Sequence, residues 1–431
     1  MLAYHVLFVG LVVGTEAFFT GLSLLNVRYG ARTARAEADW MRETLGVEDV
    51  EGVLDYQRAR VGLSLLETWT TLALLLLALY AGVVTDVVVA LTGTGLSPLS
   101  QGVAFVLLVL FADRVAGAPF SLYRTFVVEQ QFDFNNQSPR LWLRDYLLNT
   151  VLALVIVGAL AAVVLWFVET VSYWPVAGWA LVVGFSLAML VLKPRVIDPL
   201  FNDFTPVEES DLRDAVDEVF DRAGFTCDQV YEMDASKRSG HSNAYFVGFG
   251  RTKRVVLYDT LVEGMDVDAI QSVLAHELAH WKRNHIWKFV GLAAVQFAVV
   301  FAALGYLAGQ PWVYDLFALP TEATYAGLFV AVMLVGPVLR LSAPLQNYFS
   351  LAYEREADAF AVEVMGARPM ADALATLAAD NMSNPFPHPW YETFHHDHPP
   401  IPERIRYVQE MGGEGDGADD ATTEGDVPAA D

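Results

Sequence analysis

A single cysteine, Cys227, stands in a chain of 431 residues. That excludes an internal disulfide and any zinc site built from several thiolates, and Cys227 is expected to be a small buried apolar group. Lysine is scarce as well: Lys193, Lys237, Lys253, Lys282 and Lys288 are the only ones. Asp and Glu outnumber Lys and Arg by 51 to 27, and a formal net charge of −24 argues against nucleic acid as a partner. An acid-rich, lysine-poor surface suits a saline medium in which screening relieves self-repulsion, so a halophilic host is the expectation from composition.

Apolar residues are abundant. The chain is 54% hydrophobic with a mean hydropathy of +0.36, the level of a protein with several membrane spans. Such composition and a large negative charge coexist only if the charge is concentrated in water-exposed parts. Seven apolar segments, 3–26, 63–91, 102–122, 146–169, 175–192, 286–308 and 322–343, each approach the ~20 residues that a helix needs to cross a bilayer. Glu16, Glu67 and the pair Asp113 and Arg114 interrupt them. Intramembrane charges usually face a protein interior or a water-filled cavity, which predicts a polar chamber among the helices.

Positive charge sets the expected orientation. Arg28, Arg32, Arg35, Arg42, Arg58 and Arg60 follow the first segment and Arg124, Arg140 and Arg144 the third, whereas 92–101, 170–174 and 309–321 contain no Lys or Arg. This bias predicts an N-terminus outside, with residues 193–285 and the C-terminus cytoplasmic.

The chemistry is concentrated in Asp266–His285. Ile270, Val273, Leu274 and Leu278 recur at helical spacing without Gly or Pro, and Asp268 with Gln271 reads as a capped start. On this helix His276 and His280, four residues apart, leave the same face, and Glu277 between them can take a proton from water held at a metal. Two imidazoles at this spacing suit one tetrahedral Zn2+ per chain. The metzincin third ligand is missing, since Arg283 and Ile286 occupy its Gly and His offsets and His285 comes one residue early. Glu354, in the breaker-free run Tyr353–Ala361, is the expected third ligand. Asp358, one turn on, is expected to orient a ligand histidine, and Glu356 to be solvated.

The cytoplasmic insert 193–285 should hold a helix over Asp211–Ala223, a strand from Gln229 to Met233, and strands Ser242–Phe249 and Lys253–Tyr258 joined at Gly250. The free edge of that hairpin could pair with an extended peptide. Another helix is expected over Arg368–Asn384. The expected organisation is helices one to five over 1–192, the insert, helices six and seven over 286–343, a third-ligand and C-terminal catalytic segment over 344–410, and an acidic disordered tail over 411–431.

Six stretches together resemble the type I CAAX prenyl protease family of membrane-embedded zinc endopeptidases: FVVEQQFDFNNQ from Phe126, IDPLFNDFTPVEE from Ile197, HSNAYFVGFGRTKRVVLYDTL from His241, VLAHELAHWKRNH from Val273, EREADAFA from Glu354 and HPPIPER from His398. The resemblance implies a membrane all-α fold of seven transmembrane helices around a water-filled chamber, α+β in its soluble insert, with a zinc-metalloprotease domain at the cytoplasmic side. It implies that His276, His280 and Glu354 bind zinc, that Glu277 is the general base and that Asp358 supports a ligand. Asn243, Ala244, Tyr245 and Phe246 would form the substrate's edge strand, and His398 and Arg404 would hold substrate or developing charge. Leu351, where the family usually has Arg, and Ala279, where Gly is common, depart from the pattern.

The implied reaction removes the last three residues of a prenylated C-terminal Cys-a-a-X tail, so the expected partners are a peptide or protein substrate, possibly prenylated, and the lipid bilayer. Two other readings compete. One is a quality-control protease for misfolded or arrested membrane proteins; the other is a transporter or scaffold with a structural metal, which gives no reason for a base at Glu277.

Overall fold

The computed structural model describes residues 1–419 except 209, 228 and 248–252. The chain divides into two compact units: Met1–Val27, Asp55–Ile197 and Trp287–Gln346 form the first, and Arg28–Leu54, Asp198–Ile286 and Asn347–Asp431 the second.

In the described residues, seven helices are long and apolar enough to cross a membrane: Leu2–Ala36, Val50–Tyr80, Pro98–Glu129, Pro139–Thr170, Trp174–Leu200, His285–Ala308 and Thr324–Leu341. Their number agrees with the sequence, and their ends differ. The second span stops at Tyr80. Gly82 takes a φ of 80°, a conformation glycine adopts without a Cβ clash, and a short separate helix Val83–Thr92 follows. The stretch expected as a basic loop after the first span is largely helical, with Leu2–Ala36 running on, then Ala38–Leu45, then Val50 opening the next helix. Two spans begin alike, because Ser97 and Ser138 each accept a backbone N–H at 3.2 Å, from Ser100 and Leu141, and a proline occupies the first helical position of each.

The first unit buries Phe8, Leu72, Leu79, Val88, Phe105, Tyr314 and Val330 in one apolar cluster. Two of its intramembrane acids meet arginines: Arg340 lies 2.6 Å from Glu16 and stacks over Phe19, and Arg124 lies 2.6 Å from Glu67. A cavity of about 740 Å3 in this unit has mainly apolar walls, with Glu16, Asp113 and Arg340 among its lining.

The second unit carries a four-stranded sheet of order β1-β2-β4-β3, with β1 Phe204–Pro206, β2 Val230–Met233, β3 Ala244–Val247 and β4 Arg254–Tyr258. β3 and β4 pair antiparallel, with Ala244 opposite Leu257, as the hairpin reading expected; the turn at Gly250 lies outside the described residues. β2 runs parallel to β4, and β1, which the sequence does not announce, pairs antiparallel with β2. Beside the sheet, Asp211–Arg222 packs against Val267–Lys282, the helix that carries the histidines, and a core forms from Val216, Leu257, Leu274, Leu278, Phe360, Met370 and Leu374. Cys227 joins this core as expected. The helix expected from Arg368 is Ala367–Asp380. The acidic segment expected to be disordered from 411 is helical as far as Asp419, within Ile401–Asp419; residues 420–431 lie outside the described residues.

Candidate active site

The histidine helix is capped by Asp266, not Asp268: its carboxylate accepts the Ala269 N–H at 2.8 Å. Gln271 does not reach back to the cap. It is buried, and its amide donates to the Ala215 carbonyl and to Glu218, both at 3.0 Å, which fixes the helix against its neighbour. Ala275, Leu278 and Ala279 are fully buried, so the register of His276 and His280 is set by packing.

His276 and His280 present Nε2 atoms 3.2 Å apart. Glu354, buried on the helix Ala343–Met365, reaches both: its Oε1 lies 3.2 Å from His280 Nε2, and its Oε2 lies 3.4 Å from His276 Nε2. Ligand atoms of these three residues all fall within 4.8 Å of one another. Asp358, fully buried one turn along, has Oδ1 2.9 Å from His276 Nδ1, and a carboxylate there holds the imidazole hydrogen on Nδ1. Arg404, buried on Ile401–Asp419, closes a fork on Asp358, donating from Nε at 2.9 Å and from Nη2 at 2.6 Å.

These charges shift one another. Burial disfavours the His276 imidazolium, but the carboxylates of Asp358 and Glu354 beside it outweigh it and pull the pKa up to about 9. Burial pushes Glu354 up, yet the two histidines hold its carboxyl well below the usual range. Asp358 is likewise opposed by burial and held low by His276 and Arg404.

A cation fits this arrangement. Glu354 Oε2 is buried and makes no hydrogen bond. The two imidazole Nε2 atoms lie 3.2 Å apart and each has a Glu354 oxygen at 3.2–3.4 Å, spacings near the edge of about 3.3 Å that follows for a tetrahedral zinc with bonds near 2.05 Å.

The other expected residues sit as follows. Glu277 is half-buried between the two histidines. His398 Nε2 lies 3.3 Å from Glu354 Oε1 and its Nδ1 2.8 Å from Asp397, so this half-exposed ring borders the triad. Burial opposes the His398 imidazolium, but Asp397 and Glu354 raise its pKa. Asn243 precedes β3, while Ala244, Tyr245 and Phe246 lie within it; β3 is an outer strand of the sheet and packs beside the histidine helix. Glu356 is exposed, as expected, and also contacts His285, which is buried and touches His280. The spacing rule that set His285 aside as a ligand gave no hint of this contact. The available signal was an imidazole on the short Arg283-Asn284 turn after the histidine helix.

Residues 31–203 match the family model described as CAAX prenyl protease N-terminal, five membrane helices, and residues 206–412 match peptidase family M48. A CAAX prenyl protease 1 homolog of Oryza sativa subsp. japonica is 34% identical over 310 residues, covering 71% of this chain and 73% of that protein. The CAAX prenyl protease 1 of Saccharomyces cerevisiae is 32% identical over 336 residues, covering 73% and 74%. The crystal structure of S. mikatae Ste24p is similar with a TM-score of 0.85 at 25% identity, over 94% of this chain and 98% of that one. Seven apolar helices, a clustered His-His-Glu set and the peptidase match define an integral membrane zinc metallopeptidase, a hydrolase. Within that class, the chain belongs to the CAAX prenyl protease 1 family.

Proposed function

We propose that the protein is a membrane endopeptidase that removes the C-terminal tripeptide from prenylated CAAX-type substrates, with one zinc held by His276, His280 and Glu354. The convergence of those three residues within 4.8 Å carries the peptidase chemistry. The substrate class is drawn from relatives named CAAX prenyl protease 1.

Bound there, zinc supplies a positive charge that acidifies water and polarises a carbonyl. Glu277, next to His276 on the same helix, takes the proton of the attacking water and delivers it to the leaving amine. An extended substrate adds to the free edge of β3, with Asn243 to Phe246 supplying main-chain hydrogen bonds. His398, its imidazolium favoured by Asp397 and Glu354, is suited to donate to the oxygen on which charge develops. Arg404 spends Nε and Nη2 on Asp358, which supports a positioning role through His276 over direct contact with substrate. The arginines that follow the first and third spans support an N-terminus outside and a cytoplasmic catalytic unit.

The test is a paired assay of purified protein on a farnesylated peptide and its unlipidated twin, with Glu277→Gln alongside. Wild type should prefer the lipidated peptide, and Glu277→Gln should keep its zinc while losing on the order of 10²–10⁴ in rate. Equal cleavage of both peptides removes the prenyl specificity and leaves a broader membrane protease. Undiminished cleavage by Glu277→Gln removes the mechanism.

A further inference from the structure

Asn284, at φ 59°, takes the left-handed conformation that asparagine tolerates better than most residues. It separates the histidine helix from the next helix, which starts at His285. That turn sends the His285 imidazole back beneath His280. The two Nδ1 atoms are 3.1 Å apart, the His285 ring is fully buried and stacked on Tyr353 at 4.4 Å and 18°, and its Nε2 lies 3.1 Å from Glu356 Oε2.

Hydrogen counting leaves one arrangement when a metal is held. A ligand imidazole is neutral with its Nε2 lone pair free, so the single hydrogen of His280 is on Nδ1 and points at His285. His285 must accept it on Nδ1, which puts its own hydrogen on Nε2. The acceptor waiting there is the Glu356 carboxylate. We propose that His285 and Glu356 are positioning residues for the metal centre: they fix the tautomer and ring orientation of His280 so that its Nε2 faces His276 and Glu354. The inference rests on the metalloprotease reading above. It assigns the two ligand histidines different supports, a carboxylate held by arginine for His276 and an imidazole held by a carboxylate for His280.

The experiment measures zinc affinity of the purified full-length protein in detergent, by competition with a chelating indicator. His285→Phe keeps a ring to stack on Tyr353 and removes both nitrogens; its zinc affinity should fall about 10–100-fold. Glu356 is 45% exposed at its side chain, so Glu356→Leu should fold even where His285→Phe does not. It should weaken zinc about tenfold, and Glu356→Gln, whose amide oxygen accepts the same hydrogen, should recover most of that loss. A role confined to packing would lower thermal stability without moving zinc affinity and would show no Gln rescue. Unchanged zinc affinity in Glu356→Leu, or in a folded His285→Phe, overturns the proposal. His276→Ala separates the two levels. If it loses zinc while the other variants keep theirs, only the positioning role fails; if it keeps zinc, the metal reading fails with it.

Discussion

The two units of this chain apply one physical rule in two solvents. Of the 51 acidic residues, 11 lie in the first unit beside 10 of the 27 basic ones, so that unit is within one charge of neutrality and the second carries the remaining −23. Exposure follows the same division. Val155, Leu77 and Val299 on the membrane helices are 63%, 64% and 66% exposed, whereas Val216, Leu257 and Leu274 of the second unit are 0% exposed. A helix facing lipid has no reason to hide valine, and a unit facing water does. The pairing of charge also differs in kind. The first unit holds isolated pairs such as Arg340 with Glu16, whereas the second holds a connected network in which each carboxylate serves an imidazole.

The sharpest way to break that comparison is to cut the network. Arg404→Met strips both guanidinium donors from fully buried Asp358 and leaves its carboxylate with the His276 N–H alone, a loss of about 3–5 kcal/mol seen as a lower unfolding midpoint. Adding Asp358→Asn should restore a large part of it, because the amide oxygen still accepts from His276 and no orphan charge remains. Purely additive losses in the double variant would show that the two residues are not a unit.

Next in size is a matched pair that tests the solvents directly. Val155→Lys, midway along Pro139–Thr170, should cost about 3 kcal/mol in insertion or folded yield, since lysine at the centre of a spanning helix is strongly unfavourable. Val267→Lys, at 47% exposure in the second unit, should cost under about 1 kcal/mol, mostly from a cation near a helix N-terminus. Similar losses at both sites would mean that the exposed face of the first unit is wet.

How much was legible in the sequence follows from how local each signal is. The spans, the histidine face and the one-turn spacing of Glu354 and Asp358 are repeats read within a few residues, and they reappear at the expected places. The family stretches supplied His398 and Arg404, which lie far from His276 in sequence and which no periodicity connects to it. The rest depended on tertiary choice. The cap is at Asp266 where the sequence pattern put it at Asp268, and Gln271 is buried against Asp211–Arg222 and does not reach back to the cap. β1 is three residues long and is stabilised by pairing with β2. Glu356 looks like any solvated glutamate until the Asn284 turn brings His285 to it.

The smallest expected effect lies where the second unit meets water. Arg35 and Glu51 form a fork, with Nε and Nη2 of the guanidinium donating at 2.6 and 2.8 Å, a geometry as good as that of Arg404 on Asp358. Their side chains are 49% and 55% exposed, however. Water solvates each partner nearly as well when the pair is open, salt screens the attraction, and two long side chains lose rotamer freedom in closing it. Glu51→Gln should therefore change stability by only about 0.2–1 kcal/mol, and less at high salt, read as a small midpoint shift that fades as salt is added. A loss comparable to that of Arg404→Met would show that geometry, not solvent, sets the strength of these forks, and the contrast between buried network and wet surface would fall with it.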